Sequence, residues 1–300
     1  MTRATVLIPT FDHASTLGTA VESALTQTND DLEVVIVGDG ATDDVRAIAN
    51  GWVRRDTRVR FLDFPKGPHH GEIHRHTAIE QSVGEIILYL CDDDLLLRDH
   101  VADLSALLET HDFVQSLNGY LGVDGVVELY SGDLADPAYI ARLCDLDQQF
   151  NFVSVTGTAH TREFYERAGA PWETTPSGVW PDRSQWRRML LGGQPVRAAT
   201  SPRMTAISFP SYRDRASWTP AQRSAEIERW AELIRRPDAQ EHIDRMVGAS
   251  AVAKLVVTTK HALQTQDRLV DAERRLHAVT TSRWWRMGQR LRPGLRGYEL

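Results

Sequence analysis

Cysteine is scarce in this chain: only Cys91 and Cys144 occur among 300 residues. Two thiols cannot build a disulfide framework, which favours a reducing compartment. Long apolar runs are also missing, since a stretch such as residues 86–91 is far shorter than a bilayer-spanning helix. Residues 1–20 lack a basic start followed by an apolar run, so no secretory signal is indicated. These absences together predict a cytoplasmic location.

An excess of basic residues is missing as well. The formal net charge is −7, which argues against a general nucleic-acid binder. The charge is uneven: residues 1–115 carry 9 basic and 20 acidic side chains, whereas residues 216–300 carry 15 basic and 10 acidic ones. With 42% apolar and 25% charged residues, the chain has an ordinary globular composition, which excludes global disorder.

The first third of the chain alternates between two hydrophobic patterns. Apolar residues recur at three- and four-residue spacing over residues 17–25, which predicts one buried helix face. Short apolar runs, typical of strands buried in a parallel sheet, occupy residues 4–9, 32–37, 59–64 and 85–90. This succession of strands and helices predicts a mainly parallel α/β sheet covered by helices.

An acidic run, Asp92-Asp93-Asp94, follows Cys91 directly after the predicted strand 85–90. Ligands of open α/β sheets bind at the carboxyl ends of strands. Neighbouring carboxylates repel each other unless a cation compensates, and a hard ion such as Mg²⁺ or Mn²⁺ does this together with substrate phosphates. The alternative is an acidic cap on the helix near Arg98; because one cap needs one acid, three acids favour a metal–phosphate site.

A second polar turn, Gly38-Asp39-Gly40, follows the predicted strand 32–37. The glycines permit a tight turn and a close ligand approach, and Asp39 can accept a hydrogen bond from a nucleobase or a ribose hydroxyl. The turn is not a dinucleotide fingerprint, because it follows the second strand and lacks the third glycine.

Three ordered segments resemble the family 2 glycosyltransferases of the GT-A fold: VLIPTF (6–11), VVIVGDGATD (34–43) and GEIILYL before the acids (84–90). The resemblance covers residues 4–110 well and extends more loosely to about 210. It implies a Rossmann-like, mainly parallel sheet. We expect a glycosyltransferase domain over residues 1–215, with a nucleotide-sugar half (1–115) and an acceptor half (116–215), followed by a helical extension (216–300).

The resemblance also implies the roles of the site residues. A Mn²⁺ or Mg²⁺ ion is expected on Asp93, with support from Asp94. Asp182, before a predicted helix, corresponds to the carboxylate that deprotonates the acceptor, although an acid there is also an ordinary helix cap. The residues expected to bind the nucleotide-sugar donor are Pro9, Thr10, Asp39, Arg75 and Asp92.

Less specific features surround this set. His160, Arg162 and Trp180 correspond to the acceptor side of the family. The alternatives are that His160 and Arg162 only begin a helix and that Trp180 is a buried structural tryptophan. The four histidines at positions 69, 70, 74 and 76 are read as phosphate contacts, as a zinc site or as a solvated loop.

The expected function is a metal-dependent, inverting transfer of sugar from a nucleotide diphosphate to a glycan, a lipid-linked acceptor or another hydroxyl. Two departures from the family pattern, Gly38 and Cys91 in place of acids, keep a non-catalytic sugar-nucleotide-binding or scaffold protein open as the alternative. The tail, residues 282–298, contains five arginines and two tryptophans. This composition is equally consistent with binding to an anionic membrane surface and with packing of the tail on the protein. A tail bound to lipid implies a peripheral position on the inner membrane face.

Overall fold

The computed structural model describes residues 3–129, 132–145, 147, 150–192, 195–210 and 213–281. The strands are β1 (Ala4–Thr10), β2 (Leu32–Asp39), β3 (Val59–Phe64), β4 (Ile86–Tyr89), β5 (Leu95–Leu96), β6 (Phe113–Gln115), β7 (Gly119–Leu121), β8 (Val127–Leu129), β9 (Thr158–Thr161), β10 (Ala198–Thr200) and β11 (Ala206–Ile207). The helices are α1 (Ala14–Leu25), α2 (Asp43–Arg55), α3 (Ile73–Gln81), α4 (His100–Leu108), α5 (Pro137–Cys144), α6 (Arg162–Ala168), α7 (Pro181–Leu190), α8 (Pro220–Ile234) and α9 (Ala239–Thr281).

The central sheet has the strand order β10-β6-β9-β4-β1-β2-β3 within the described residues. Its pairs are parallel except for those of β9, which runs antiparallel to β4 and β6. Thr10 lies opposite Gly38, and Leu7 lies opposite Tyr89, so β1, β2 and β4 end at one edge of the sheet. The predicted fold class, a mainly parallel sheet flanked by helices, is confirmed.

Alternate residues of the central strands bury into two separate apolar layers. On one face, Val6 and Ile8 pack with Leu17 of α1. On the other face, Leu7 packs in a layer with Tyr89 and Trp186, and all these side chains are fully buried. A central parallel strand covered on both faces is largely apolar, which explains the composition of β2, where Glu33 interrupts the apolar run.

Helix α8 is part of the same compact unit as the sheet. Ile227, Trp230 and Ile234 recur at helical spacing and pack with Leu95 and Ile207 of the small antiparallel pair β5–β11. This apolar cluster gives α8 a buried face, and the compact unit continues to Gly248. The described unit therefore includes α8, and the expected domain boundary at residue 215 stays a prediction.

The second unit comprises residues 249–300, of which the structure describes 249–281 as the greater part of helix α9. Large apolar side chains of this segment are exposed, among them Leu255, Leu269 and Leu276. No described helix is both long enough and apolar enough to cross a bilayer. The basic segment 282–298 lies outside the described residues.

Candidate active site

The carboxyl edge of the sheet brings together three of the predicted segments. Thr10 ends β1, Asp39 ends β2, and the acidic run follows β4. Parallel strands with this register place their following loops side by side. Thr10 is 4% exposed and its hydroxyl has no hydrogen-bond partner, while Pro9 before it is only partly buried. A nucleotide-binding role for these two residues stays a prediction.

Asp39 lies beneath the segment that follows β3. Its carboxylate accepts hydrogen bonds from the backbone N–H of Gly67, at 2.6 Å, and from the ammonium group of Lys66. The Lys66 ammonium also lies 5.0 Å from the centroid of the Phe11 ring. The sequence reasoning missed Lys66. The available signal was its position just after β3, the strand that pairs with β2.

Asp92 is paired with a histidine that the sequence analysis did not identify. Nδ1 of His13, in the turn before α1, lies 2.9 Å from a carboxylate oxygen of Asp92. The hydrogen bond to Asp92 and the surrounding acids raise the pKa of His13 to about 9, against an opposing effect of burial. This shift favours the imidazolium form, which offsets part of the charge of the acidic run, and His13 would have to lose its proton to act as a metal ligand.

Asp93 lies at the centre of this acidic run. Its carboxylate makes no hydrogen bond among the described residues. Burial, followed by the charges of Asp94 and Asp92, raises the pKa of Asp93 well above its ordinary value. A negative charge is therefore unfavourable at this position unless a positive charge is nearby.

Asp94 fastens two parts of the chain together. One oxygen accepts from the hydroxyl of Thr156 at 2.5 Å, and the other accepts from the backbone N–H of Phe209 at 2.8 Å. Burial raises the pKa of Asp94 to about 6, although these hydrogen bonds oppose the shift. Its position fits a supporting role better than that of a direct metal ligand, because both oxygens already have protein partners.

The donor set of the acidic run fits a divalent cation. His13, Asp92 and Asp93 each offer one ligand atom within 4.8 Å of the others, and Cys91, Asp93 and Asp94 do the same. Asp93 belongs to both groups. Carboxylate oxygens are the ligands that Mg²⁺ and Mn²⁺ prefer, and a cation would offset the repulsion that raises the pKa of Asp93. Metal binding here stays a prediction.

Asp182 lies in the first turn of α7, where Pro181 starts the helix. Its carboxylate accepts from the side-chain amide of Asn151 at 2.9 Å and from the backbone N–H of Arg183 at 2.7 Å. Burial raises the pKa of Asp182, while these hydrogen bonds and the charge of Arg75 act in the opposite direction. A partly buried carboxylate with a raised pKa is suited to accepting a proton near neutral pH.

Arg75 joins the acidic run to Asp182. Its guanidinium is 7% exposed and lies over the ring of Trp172, 4.5 Å from the centroid. Burial lowers the pKa of Arg75, and the neighbours that oppose this effect include Cys91, Glu72 and Asp182. Its Nε and Nη1 have no hydrogen-bond partner within the described part of the chain. Arg75 thus has two donors that no described residue occupies, and its charge interacts with both Cys91 and Asp182.

The three predicted acceptor residues separate in the structure. Trp180 is 49% exposed and directly precedes α7, close in sequence to Asp182. His160 is fully buried in β9; its ring nitrogens contact the hydroxyl of Tyr89 and the backbone oxygen of Thr161, and burial lowers its pKa to about 4.

The guanidinium of Arg162 hydrogen-bonds to the protein backbone. It donates to the backbone oxygens of Ile79, Ser82 and Gly84 and so closes the connection between α3 and β4. The structure therefore brings only Trp180 of the three to the neighbourhood of Asp182.

The histidine-rich segment makes individual contacts rather than a cluster. His74 stacks on Phe64, with ring centroids 4.6 Å apart, and His76 contacts the hydroxyl of Tyr165. None of these histidines belongs to a group of possible metal ligands in the part of the chain that the structure describes.

Comparisons with known proteins agree with this arrangement. The family model "Glycosyl transferase family 2" matches residues 5–167. The chain is 27% identical over 107 residues to the GalNAc(5)-diNAcBac-PP-undecaprenol beta-1,3-glucosyltransferase of Campylobacter jejuni, covering 35% of this chain and 34% of that one. The chain spans less than a fifth of the length of the Rickettsia glycosyltransferases that it matches.

Two solved structures share the fold. Staphylococcus aureus TarS 1-349 in complex with UDP-GlcNAc has a TM-score of 0.56 at 15% identity, over 83% of this chain and 71% of that one. The mannosyltransferase PcManGT of Pyrobaculum calidifontis, in complex with GDP-Man and Mn²⁺, has a TM-score of 0.51 at 19% identity, over 97% and 84%. The family model covers more than half of the chain. The chain therefore belongs to glycosyl transferase family 2.

Proposed function

We propose that this protein is a metal-dependent, inverting glycosyltransferase that moves a sugar from a nucleotide-diphosphate donor to an acceptor hydroxyl. The observation that carries the proposal is Asp182, a partly buried carboxylate with a raised pKa. Its electrostatic partner Arg75 also interacts with Cys91, at the start of the acidic run. A proton acceptor and a binding region for an anionic leaving group are thus combined in one unit.

The donor is expected to bind along the carboxyl edge of the sheet. Asp39, beside Thr10, contacts the nucleoside, and Arg75 offers its unused guanidinium donors to the diphosphate. A divalent cation held by Asp92 and Asp93 would neutralise negative charge on the leaving diphosphate. The structure of TarS with UDP-GlcNAc and that of PcManGT with GDP-Man and Mn²⁺ support a nucleotide-sugar donor and Mn²⁺ or Mg²⁺ here, without identifying the base.

The chemistry proposed at Asp182 is a single displacement. The acceptor oxygen attacks the anomeric carbon as Asp182 takes its proton, and the bond between that carbon and the phosphate oxygen breaks. The nucleoside diphosphate leaves with the electron pair of the broken bond. One displacement at the anomeric carbon inverts its configuration. Trp180 is proposed to contact the acceptor. The Campylobacter relative is named for transfer to a glycan on undecaprenol diphosphate, so a lipid-linked glycan is one of the acceptors to test.

Different parts of the chain are expected to bind the donor and the acceptor. We propose that residues 1–115 bind the donor and that residues 116–215 face the acceptor, with α8 and α9 as a helical extension. The basic tail 282–298 is proposed to hold the enzyme on the anionic inner face of the cytoplasmic membrane.

The test is release of nucleoside diphosphate from a panel of UDP and GDP sugars in the presence of Mn²⁺ or Mg²⁺, with and without glycan acceptors. Asp182→Asn is expected to retain donor binding and lose transfer. Donor binding by the wild type without transfer to any acceptor would instead support a non-catalytic sugar-nucleotide-binding protein. If no nucleotide or nucleotide sugar binds, with or without metal, the proposal is wrong.

A further inference from the structure

Glu72 is a buried carboxylate without a hydrogen-bond partner. It directly precedes α3 and is 0% exposed, and neither of its oxygens accepts a hydrogen bond from any residue that the structure describes. Burying a polar group unpaired is unfavourable, and native structures avoid it outside sites that use it. The carboxylate therefore needs a reason beyond folding.

Two neighbours of Glu72 connect it to the proposed donor site. Gly71, next to it, packs so closely on Asp39 that a Cβ at Gly71 would lie 2.1 Å from the Asp39 carboxyl carbon. Arg75, one helical turn later, interacts electrostatically with both Glu72 and Asp182. Glu72 thus follows a residue packed on the proposed nucleotide contact and interacts with the arginine proposed to bind the diphosphate.

The unpaired atoms define the ligand chemistry. Both Glu72 oxygens are acceptors, while the unpaired atoms of Arg75 beside them, Nε and Nη1, are donors. A diphosphate would be repelled by the carboxylate and attracted by the guanidinium. Glu72 also belongs to neither group of possible metal ligands among the described residues. The group that satisfies a carboxylate here is a neutral hydroxyl.

We propose that Glu72 determines sugar specificity by accepting hydrogen bonds from ring hydroxyls of the donor's transferred sugar. This inference depends on the proposed function, since it assigns the sugar end of the same nucleotide-sugar site. A hydroxyl that reaches Glu72 meets an acceptor with no competing hydrogen bond from the protein. Donors with a free hydroxyl at the matching ring position are favoured over donors in which that group is blocked.

The experiment compares binding of UDP, GDP, UDP-glucose, UDP-N-acetylglucosamine and GDP-mannose by calorimetry with Mn²⁺, for the full chain and its variants. Glu72→Gln is expected to weaken the preferred nucleotide sugar by about 10- to 100-fold, the effect of losing a hydrogen bond to a charged group. The corresponding nucleoside diphosphate is expected to bind within about twofold of wild type. Glu80→Gln, the same exchange on an exposed residue of α3, is the matched control and should change neither.

A second series identifies the hydroxyl. In fluorinated donors, single ring hydroxyls are replaced by fluorine, which cannot donate a hydrogen bond. For the donor that lacks the hydroxyl bound by Glu72, wild type and Glu72→Gln should bind equally. Glu72→Asp retains a carboxyl group beside Arg75 but shortens the side chain by one methylene group. If this variant also loses affinity for the nucleotide sugar but not for the nucleoside diphosphate, Glu72 acts by contacting the sugar and not by stabilising Arg75. Circular dichroism and thermal unfolding verify that each variant is folded.

Equal weakening of the nucleoside diphosphate and the nucleotide sugar would overturn the inference, because it would place Glu72 at the nucleotide. The inference would also be wrong if Glu72→Gln bound the nucleotide sugar as tightly as wild type does. It would be wrong as well if the substitution weakened the binding of every fluorinated donor by the same factor. Failure of the wild type to bind any nucleotide would contradict the proposed function itself. The two failures are therefore distinguishable.

Discussion

Asn151 should control the pH at which Asp182 becomes active. Asp182 accepts a proton only when it is ionised, and burial raises its pKa, so kcat/KM is expected to rise with pH along an acidic limb. The Asn151 amide donates to Asp182 at 2.9 Å and stabilises the ionised form. Removing this donor raises the pKa of Asp182 further, which moves the acidic limb toward higher pH.

The magnitude follows from the strength of this one hydrogen bond. A hydrogen bond to a charged group contributes about 1.5–3 kcal/mol, and about 1.4 kcal/mol corresponds to one pH unit. Asn151→Leu should therefore move the limb upward by about one to two pH units. Because Asn151 also accepts from the backbone N–H of Val153 at 3.1 Å, Asn151→Asp is the informative second variant. It keeps that acceptor and places a negative charge beside Asp182, so its limb should move at least as far.

The assay is nucleoside diphosphate release at several pH values, with kcat/KM fitted for each variant. Asn50→Asp, on the exposed surface of α2, introduces the same charge away from the site and should leave the limb in place. If Asn151→Asp keeps the wild-type limb while remaining folded, Asp182 is not the group that titrates, and its assignment as the base fails.

Three further predictions address the metal, the core and the tail. Asp93→Ala should abolish the Mn²⁺-dependent part of donor binding measured by calorimetry, and a folded Asp93→Ala variant that keeps the wild-type Mn²⁺ dependence would contradict the metal site. Trp186→Ala, in a fully buried position, should lower the free energy of unfolding in urea by about 3–5 kcal/mol, while Trp180→Ala, 49% exposed, should change it by less than about 0.5 kcal/mol. Deletion of residues 282–300 should reduce co-sedimentation with anionic liposomes, and equal sedimentation of the full chain and the 1–281 chain would remove the membrane proposal.

The parallel sheet and its active edge could be predicted because both depend on local patterns. An apolar run such as residues 32–37 identifies a buried strand, and the acids after β4 follow from the rule that ligands bind at carboxyl ends. The roles of His160 and Arg162 were harder to predict, because the sequence pattern of a polar residue near a strand end is the same whether its side chain contacts a ligand or hydrogen-bonds within the protein. Only the contacts of His160 with Tyr89 separate the two cases.

The sequence analysis missed three residues, and two of them, His13 and Glu72, required knowledge of tertiary structure. Lys66 meets Asp39 across 27 positions of sequence, and His13 meets Asp92 across 79. Lys66 was within reach of sequence reasoning, since β3 pairs with β2 and the two strands end together. Glu72 was not, because its significance lies in being buried without a hydrogen-bond partner, and no spacing in the sequence reports burial.

The acidic run shows why adjacent residues of one type need separate treatment. Asp92 is neutralised by His13 from the start of α1, and Asp94 is held by Thr156 and by the backbone of Phe209, near the pairing of β5 and β11. Asp93, between them, makes no hydrogen bond among the described residues. Loss of Asp94 is therefore expected to loosen the loop after β4 and disturb folding as well as activity. Loss of Asp93 removes a carboxyl group whose ionisation is unfavourable at this position, so that variant should fold well and fail in metal binding, and this contrast distinguishes the ligand from its support.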